Sequence, residues 1–138
     1  MLTALVMGLT FGACVASRRA WLRRQQTERE YAGGRIRLRT LWNSGAAFGL
    51  PLRGGVLSAV SALVLARFWF LRTAGPVGAG LILGGGASNL YERLRHRRVL
   101  DYVQFPRAPW RLKRYVYNLA DFAIFLGGVL LLLRRRDG

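Results

Sequence analysis

Apolar residues fall into four blocks that alternate with polar, arginine-rich segments along the chain. The blocks cover residues 2–16, 54–70, 74–91 and 116–133. Each is close to the roughly 17–25 residues that a helix needs to cross a bilayer, and flanking arginines can extend that length by snorkelling. The pattern predicts an α-helical integral membrane protein with four transmembrane helices in a single domain, 1–138. A soluble helical bundle is disfavoured because residues 127–133 have no polar face.

The two long connections are predicted to form a small β structure at one membrane face. Residues 35–39 read Arg-Ile-Arg-Leu-Arg, and such strict alternation is typical of a strand with one polar and one apolar face. Residues 99–105 are rich in β-branched and aromatic side chains, which favours a second strand. We therefore expect the β structure within residues 31–53 and 93–115.

Small residues recur at every fourth position of the third block. Gly80, Gly84 and Ser88 lie at i, i+4 and i+8, so they share one face of the predicted helix. A row of this kind lets another helix approach closely, which predicts a packing role.

The chain is strongly basic, with 22 Lys and Arg against 6 Asp and Glu and a formal net charge of +16. Charge of this size can attract nucleic acid, but these arginines are interleaved with apolar blocks. Anionic lipid headgroups are therefore the expected partner, and nucleic acid is not. Most of the arginines follow the first and third blocks, so the positive-inside rule would place the long loops in the cytoplasm and both termini outside.

Three of the few acidic residues lie in or beside apolar blocks, where a charge is costly: Glu92, Asp101 and Asp121. Asn89, Glu92 and Arg93 lie at i, i+3 and i+4, and are expected to share a helical face. Asn118 and Asp121 share a face in the same way. Because one group ends the third block, the other begins the fourth and Asp101 lies in the loop between them, Asp101 and Asp121 can meet.

Two adjacent carboxylates cannot both ionise easily, so one retains a proton that the pair shares. The ionised member can then activate water while the protonated member donates to a carbonyl oxygen. Asn side chains supply further donors, and Arg93 can hold the site together. Two other interpretations remain open from spacing alone. The acids can pair with arginines and only fasten the loop, or Asp121 can relay protons in a small ion-coupled membrane protein.

Three ordered segments resemble those of the lipoprotein signal peptidases, the signal peptidase II family of bacterial intramembrane aspartyl proteases. Residues 42–48, Trp-Asn-Ser-Gly-Ala-Ala-Phe, resemble the family block Arg-Asn-Thr-Gly-Ala-Ala-Phe. Residues 88–93 and 99–102 resemble Gly-Asn-x-x-Asp-Arg followed by Val-Val-Asp-Phe. Residues 117–121, Tyr-Asn-Leu-Ala-Asp, resemble Phe-Asn-x-Ala-Asp.

The resemblance implies that Asp101 and Asp121 are the catalytic dyad and that no metal or cofactor takes part. The remaining residues that it assigns to the site are Asn43, Asn89, Arg93 and Asn118, which shape it or bind substrate, and Glu92, Gly45 and Phe48, which support it. The implied substrate is a prolipoprotein that carries diacylglycerol on its cysteine and is cut just before that cysteine. The implied protein is a monomer of the bacterial cytoplasmic membrane, with a β-cradle over the site.

The chain departs from the family pattern at four positions. Cys14 and Arg18 stand approximately where the family has an acid and then a Lys, Ser88 replaces a Gly, and Glu92 replaces an Asp. These departures leave open a catalytically impaired relative that binds lipidated proteins without cutting them. Family topology places the active site outside the cytoplasm and both termini inside, which opposes the arginine distribution. We follow the family here, because the chemistry requires a translocated substrate.

Overall fold

The computed structural model describes residues 1–24, 28–44, 54–71 and 75–136. Within these ranges the chain forms four α-helices, which are α1 (Leu2–Arg23), α2 (Gly54–Leu71), α3 (Gly75–His96) and α4 (Leu119–Arg136). The strands are β1 (Arg29–Tyr31), β2 (Ile36–Asn43), β3 (Val99–Gln104) and β4 (Val116–Tyr117). Short 3-10 turns cover Ala32–Gly34 and Trp110–Arg114.

The helices differ from the apolar blocks mainly at their ends. α1 continues to Arg23 and α3 to His96, past the predicted ends at 16 and 91. Each extension contains one Leu and at least two Arg, residue types that favour helix, although the arginines interrupt the apolar run. α4 begins at Leu119 rather than 116, because residues 116–117 belong to β4. Measured over the described residues, none of the helices combines the length and the apolar content that crossing a bilayer requires.

The row of small residues on α3 packs against α1, as the sequence predicted. A Cβ atom at Gly80 would lie 2.5 Å from the Val6 side chain. A Cβ atom at Gly84 would lie 2.6 Å from the Met7 carbonyl oxygen. The two backbones are therefore in contact at a distance that only glycine permits, and the two helices run parallel.

A second row on α3 faces α4, which runs antiparallel to it. A Cβ atom at Gly85 would lie 2.7 Å from the Ala120 carbonyl oxygen, and one at Gly127 would lie 2.7 Å from the Gly78 carbonyl oxygen. Positions 89 and 93 follow Gly85 at steps of four, so they continue this row toward the start of α4.

The strands form one antiparallel sheet in the order β1-β2-β3-β4. β2 and β3 contain most of the two predicted strand segments, and they pair in a register that places Leu41 opposite Asp101. β3 rests on the extension of α1, where the rings of Trp21 and Tyr102 stack with centroids 5.4 Å apart. Leu100 is fully buried in the same cluster. The sheet is thereby fixed to the bundle at the point where the acidic residues lie.

Candidate active site

Asp121 is positioned by the start of its own helix. Asn118 is the residue before α4, and its side-chain oxygen accepts a hydrogen bond from the Asp121 N–H at 3.1 Å. In return, the Asp121 carboxylate accepts a hydrogen bond from the Asn118 N–H at 2.9 Å. This reciprocal arrangement is a capping box, which satisfies two backbone donors that the helix leaves open. It fixes the carboxylate to the first turn of α4.

Asp101 lies in strand β3, within the segment 99–105 that the sequence predicted to be extended. Its side chain is 4% exposed. The Asn118 side-chain amide donates to an Asp101 carboxylate oxygen at 2.8 Å, and Asn43 at the end of β2 donates a further side-chain hydrogen bond. Asn118 therefore contacts both carboxylates, one through its side chain and one through its backbone.

Asn89 joins α3 to this group. Its side-chain NH2 donates to Asp121 at 3.3 Å, and its side-chain oxygen accepts from the Asn118 amide at 3.1 Å. The same oxygen accepts a hydrogen bond at 2.5 Å from Arg18, whose side chain is 3% exposed. Arg18 also donates to the carbonyl oxygen and the hydroxyl of Ser88.

Burial is the main cause of the raised pKa of Asp101. Loss of contact with water, and then the negative charge of Asp121, raise the pKa of Asp101 to about 7. Hydrogen bonds from Asn43 and Asn118 and the positive charge of Arg18 oppose this rise in the pKa. Arg93 interacts electrostatically with both carboxylates. A buried carboxyl of this kind can hold a proton near neutral pH beside a second carboxylate.

The structure brings together five of the predicted site residues around the Asn118 amide, and Arg93 lies close enough to interact with the acids. These five are Asn43, Asn89, Asp101, Asn118 and Asp121. The predicted supporting residues Gly45 and Phe48 lie outside the described residues. In the part of the chain that is described, no group of three His, Cys, Asp or Glu side chains is arranged to hold a metal ion.

Glu92 lies on a different face of α3 from the one that its spacing from Asn89 predicted. It is the next position after Ser88 in the row that faces α1, and it lines a cavity of about 260 Å³ with Arg19, Trp42 and other residues. Successive helical residues turn by about 100°, so Glu92 and Arg93 point to opposite sides of Asn89. Arg93 is the one of the two that interacts electrostatically with both carboxylates.

Arg18 and Tyr102 were missed as structural partners of the site. The Tyr102 hydroxyl accepts a hydrogen bond from the Leu119 N–H at 3.2 Å and also bonds the Ser17 hydroxyl, so it ties α1 and β3 to the start of α4. Sequence alone offered only a weak signal for Arg18, because arginine is abundant throughout this chain. Its position one turn after Cys14 on an apolar helix was the available clue.

The protein is thus of a class in which a helical bundle carries a small antiparallel sheet. Two neighbouring carboxylates lie where the sheet meets the bundle. A family model described as signal peptidase (SPase) II matches residues 7–135. The chain therefore belongs to the signal peptidase II family.

Individual relatives agree with this family. The chain is 36% identical over 103 residues to a lipoprotein signal peptidase of Nitrobacter hamburgensis, covering 66% of this chain and 63% of that protein. It is 38% identical over 103 residues to one of Methylorubrum extorquens, covering 67% of this chain and 59% of that protein. The chain thus spans about three fifths of the length of these curated relatives. A solved bacterial membrane enzyme has the same fold, with a TM-score of 0.78, 16% identity, and coverage of 98% of this chain and 87% of that one.

Proposed function

We propose that this protein is an aspartyl endopeptidase that removes the signal peptide from diacylglyceryl-modified prolipoproteins, cutting before the lipidated cysteine. Family membership supports this proposal, and the relatives described above are named lipoprotein signal peptidases. The observation that carries it is the contact of one residue, Asn118, with both Asp101 and Asp121 in a largely buried setting. A pair of acids that only fastened a loop would not need one residue that donates hydrogen bonds to both of them.

In the proposed reaction the two acids have different roles. Asp121 is half-buried and the more accessible, so as a carboxylate it takes a proton from water, whose oxygen then bonds to the scissile carbonyl carbon. Asp101, which holds its proton near neutral pH, donates that proton to the carbonyl oxygen. The resulting tetrahedral diol collapses when Asp121 passes its proton to the amide nitrogen. The C–N bond then breaks, and a hydroxyl proton returns to Asp101.

The amide side chains hold this pair in place. Asn43 and Asn118 donate to Asp101, and Asn89 donates to Asp121, so each acid is oriented by at least one side-chain amide. Arg93 balances part of the negative charge of the pair. No metal or cofactor enters this scheme, because the two carboxyl groups supply both the base and the acid.

The proposal also places the protein in the bacterial cytoplasmic membrane, with four spanning helices and both termini in the cytoplasm. Large apolar side chains on the outer faces of the helices support a lipid environment, since Leu9, Leu63, Phe125 and Leu132 are each more than 60% exposed. The acids and the sheet would lie on the extracytoplasmic side, where the substrate arrives. Arginines on that side would contact anionic headgroups, and the protein would act as a monomer.

Incubation of the purified protein with a diacylglyceryl-modified precursor tests the proposal. Mass spectrometry should show release of the signal peptide and a mature protein that begins at the lipidated cysteine. The same precursor without the lipid is the matched control and should remain uncut. A lipid-dependent complex without any change in substrate mass would instead support the binding-only relative that the departures at Cys14, Ser88 and Glu92 leave open.

A further inference from the structure

We propose that Arg18 and Ser88 form a positioning pair, in which Ser88 holds the Arg18 guanidinium and Arg18 fixes the orientation of the Asn89 amide toward Asp121. The inference rests on the proposed peptidase function and adds two positioning residues that the family resemblance does not assign to the site. Neither residue contacts a carboxylate directly, because Asn89 lies between Arg18 and Asp121.

The surroundings of Arg18 are unusual for a buried cation. Its guanidinium donates to the Ser88 carbonyl oxygen at 3.4 Å, to the Ser88 hydroxyl, and to Asn89. All of these acceptors are neutral, and no carboxylate of the described residues lies within ion-pair distance of Arg18. Burying a charge without a paired counter-ion is costly, so a cation kept in this position is expected to serve a purpose there.

Arg18 determines which way the Asn89 amide faces. A guanidinium has five N–H donors and no acceptor, so only the amide oxygen of Asn89 can face it. That oxygen also accepts from the Asn118 amide at 3.1 Å. The NH2 group of Asn89 must then point away from Arg18, and it donates to Asp121 at 3.3 Å. Without Arg18, only the Asn118 amide would oppose a flip of Asn89 that turns its oxygen toward the Asp121 carboxylate, where the two oxygens would repel each other.

Ser88 is suited to hold Arg18 because it combines small size with a hydroxyl group. It continues the row of Gly80 and Gly84 that packs against α1, and it is completely buried. A larger side chain would separate the helices, whereas alanine would keep the packing and lose one acceptor. The two departures from the family motif at Arg18 and Ser88 are therefore in direct contact with each other.

The charge of Arg18, which makes no close ion pair with the described residues, also acts on the two acids from a distance. The charged groups that interact with Asp101 are Arg18 from α1, Arg93 from α3 and Asp121 from α4. Because the acceptors of Arg18 are neutral, its positive charge remains available to favour the ionised carboxylates. Removal of that charge should therefore move the loss of activity at high pH to a higher pH.

Cleavage kinetics of Arg18→Gln, Arg18→Lys and Ser88→Ala test the proposal, with the exposed neighbour variant Arg19→Gln as the matched control. We expect Arg18→Gln to lower kcat by about 10- to 100-fold, as for loss of a charged hydrogen bond, with KM within about twofold of the wild type. Arg18→Lys keeps the charge but loses the two-nitrogen fork, so its kcat should be intermediate and its pH profile unshifted. Ser88→Ala should lower kcat by less than Arg18→Gln does, and Arg19→Gln should leave kcat unchanged.

The proposal is overturned if Arg18→Gln behaves like Arg19→Gln, or if it changes KM alone. Should Arg18→Gln fail to fold, Arg18→Lys and Ser88→Ala still test the positioning pair, because wild-type kinetics in both of them would also overturn the proposal. Failure of the proposed function is distinguishable, since the wild type itself would then leave the lipidated precursor uncut.

Discussion

Asn118 and Asp121 cap helix α4 for each other, through hydrogen bonds of 3.1 Å and 2.9 Å between side chain and backbone in both directions. The start of the helix therefore fixes the Asp121 carboxylate. Because the Asn118 amide also donates to Asp101 at 2.8 Å, the same cap couples α4 to β3. Local helix formation and assembly of the two acids thus depend on a single side chain.

Replacement of Asn118 should separate its two roles. Asn118→Ala removes the cap and the amide donor, and should cost about 1–3 kcal/mol in the free energy of unfolding and about 100-fold or more in cleavage rate. Asn118→Ser keeps an oxygen that can cap the helix but has no amide donor for Asp101. It should unfold near the wild-type temperature and still cleave slowly. An Asn118→Ser protein with the wild-type rate would contradict the bridging role.

Cleavage should decline as pH rises above about 7. Burial and the charge of Asp121 raise the pKa of Asp101 to about 7, and a rate that needs its proton should fall about tenfold per pH unit above that value. A carboxyl whose pKa is raised on folding contributes stability that is complete below its unfolded pKa, about 3.9, and is lost as pH rises through the folded pKa.

Two measurements check this pH dependence. The first is kcat/KM between pH 5 and 9, where a flat profile to the upper limit would exclude Asp101 as the proton donor. The second is thermal unfolding over the same range. Stability of the wild type should fall relative to Asp101→Asn as pH rises to about 7 and then stay level, because the variant has no carboxyl to ionise at that position.

Close contact between α1 and α3 should make Gly84 intolerant of even one added methyl group. A Cβ atom there would lie 2.6 Å from the Met7 carbonyl oxygen, so Gly84→Ala should destabilise the protein by about 1–3 kcal/mol. Gly128→Ala is the matched control, because nothing lies within 4 Å of a Cβ atom at that position. The control should be neutral or stabilising by up to about 1 kcal/mol. Equal thermal stability of the two variants would contradict the observed packing.

Sequence patterns predicted the parts of this structure that depend on periodicity. The spacing of Gly80, Gly84 and Ser88 predicted a packed helix face, and the spacing of Asn118 and Asp121 predicted that these two residues lie close together, as they do at the start of α4. Alternation predicted the strand now seen in β2. Each of these features follows from the geometry of a single helix or strand, which sequence spacing records directly.

Other features depend on how the elements pack, and sequence spacing does not determine them. Glu92 and Arg93 both follow Asn89 by about one turn, yet one faces α1 and the other faces the acids. Which of the two residues faces the acids depends on the contact between the Gly80 row and α1, and sequence spacing does not record that contact. Arg18 could not be distinguished from many other arginines, since its burial arises from the packing of α1 against α3 and not from its own segment.

The most direct test of the central claim is cleavage of a lipidated precursor by Asp101→Asn and Asp121→Asn, measured by the mass of the products. Each substitution keeps the size of the side chain but removes the carboxyl that takes or gives a proton. Glu30→Gln, at an exposed acid paired with Arg37, controls for loss of a negative charge. We expect no detectable signal peptide release by either Asp variant, normal release by Glu30→Gln, and membrane insertion of all three. Wild-type release by either Asp variant would contradict it.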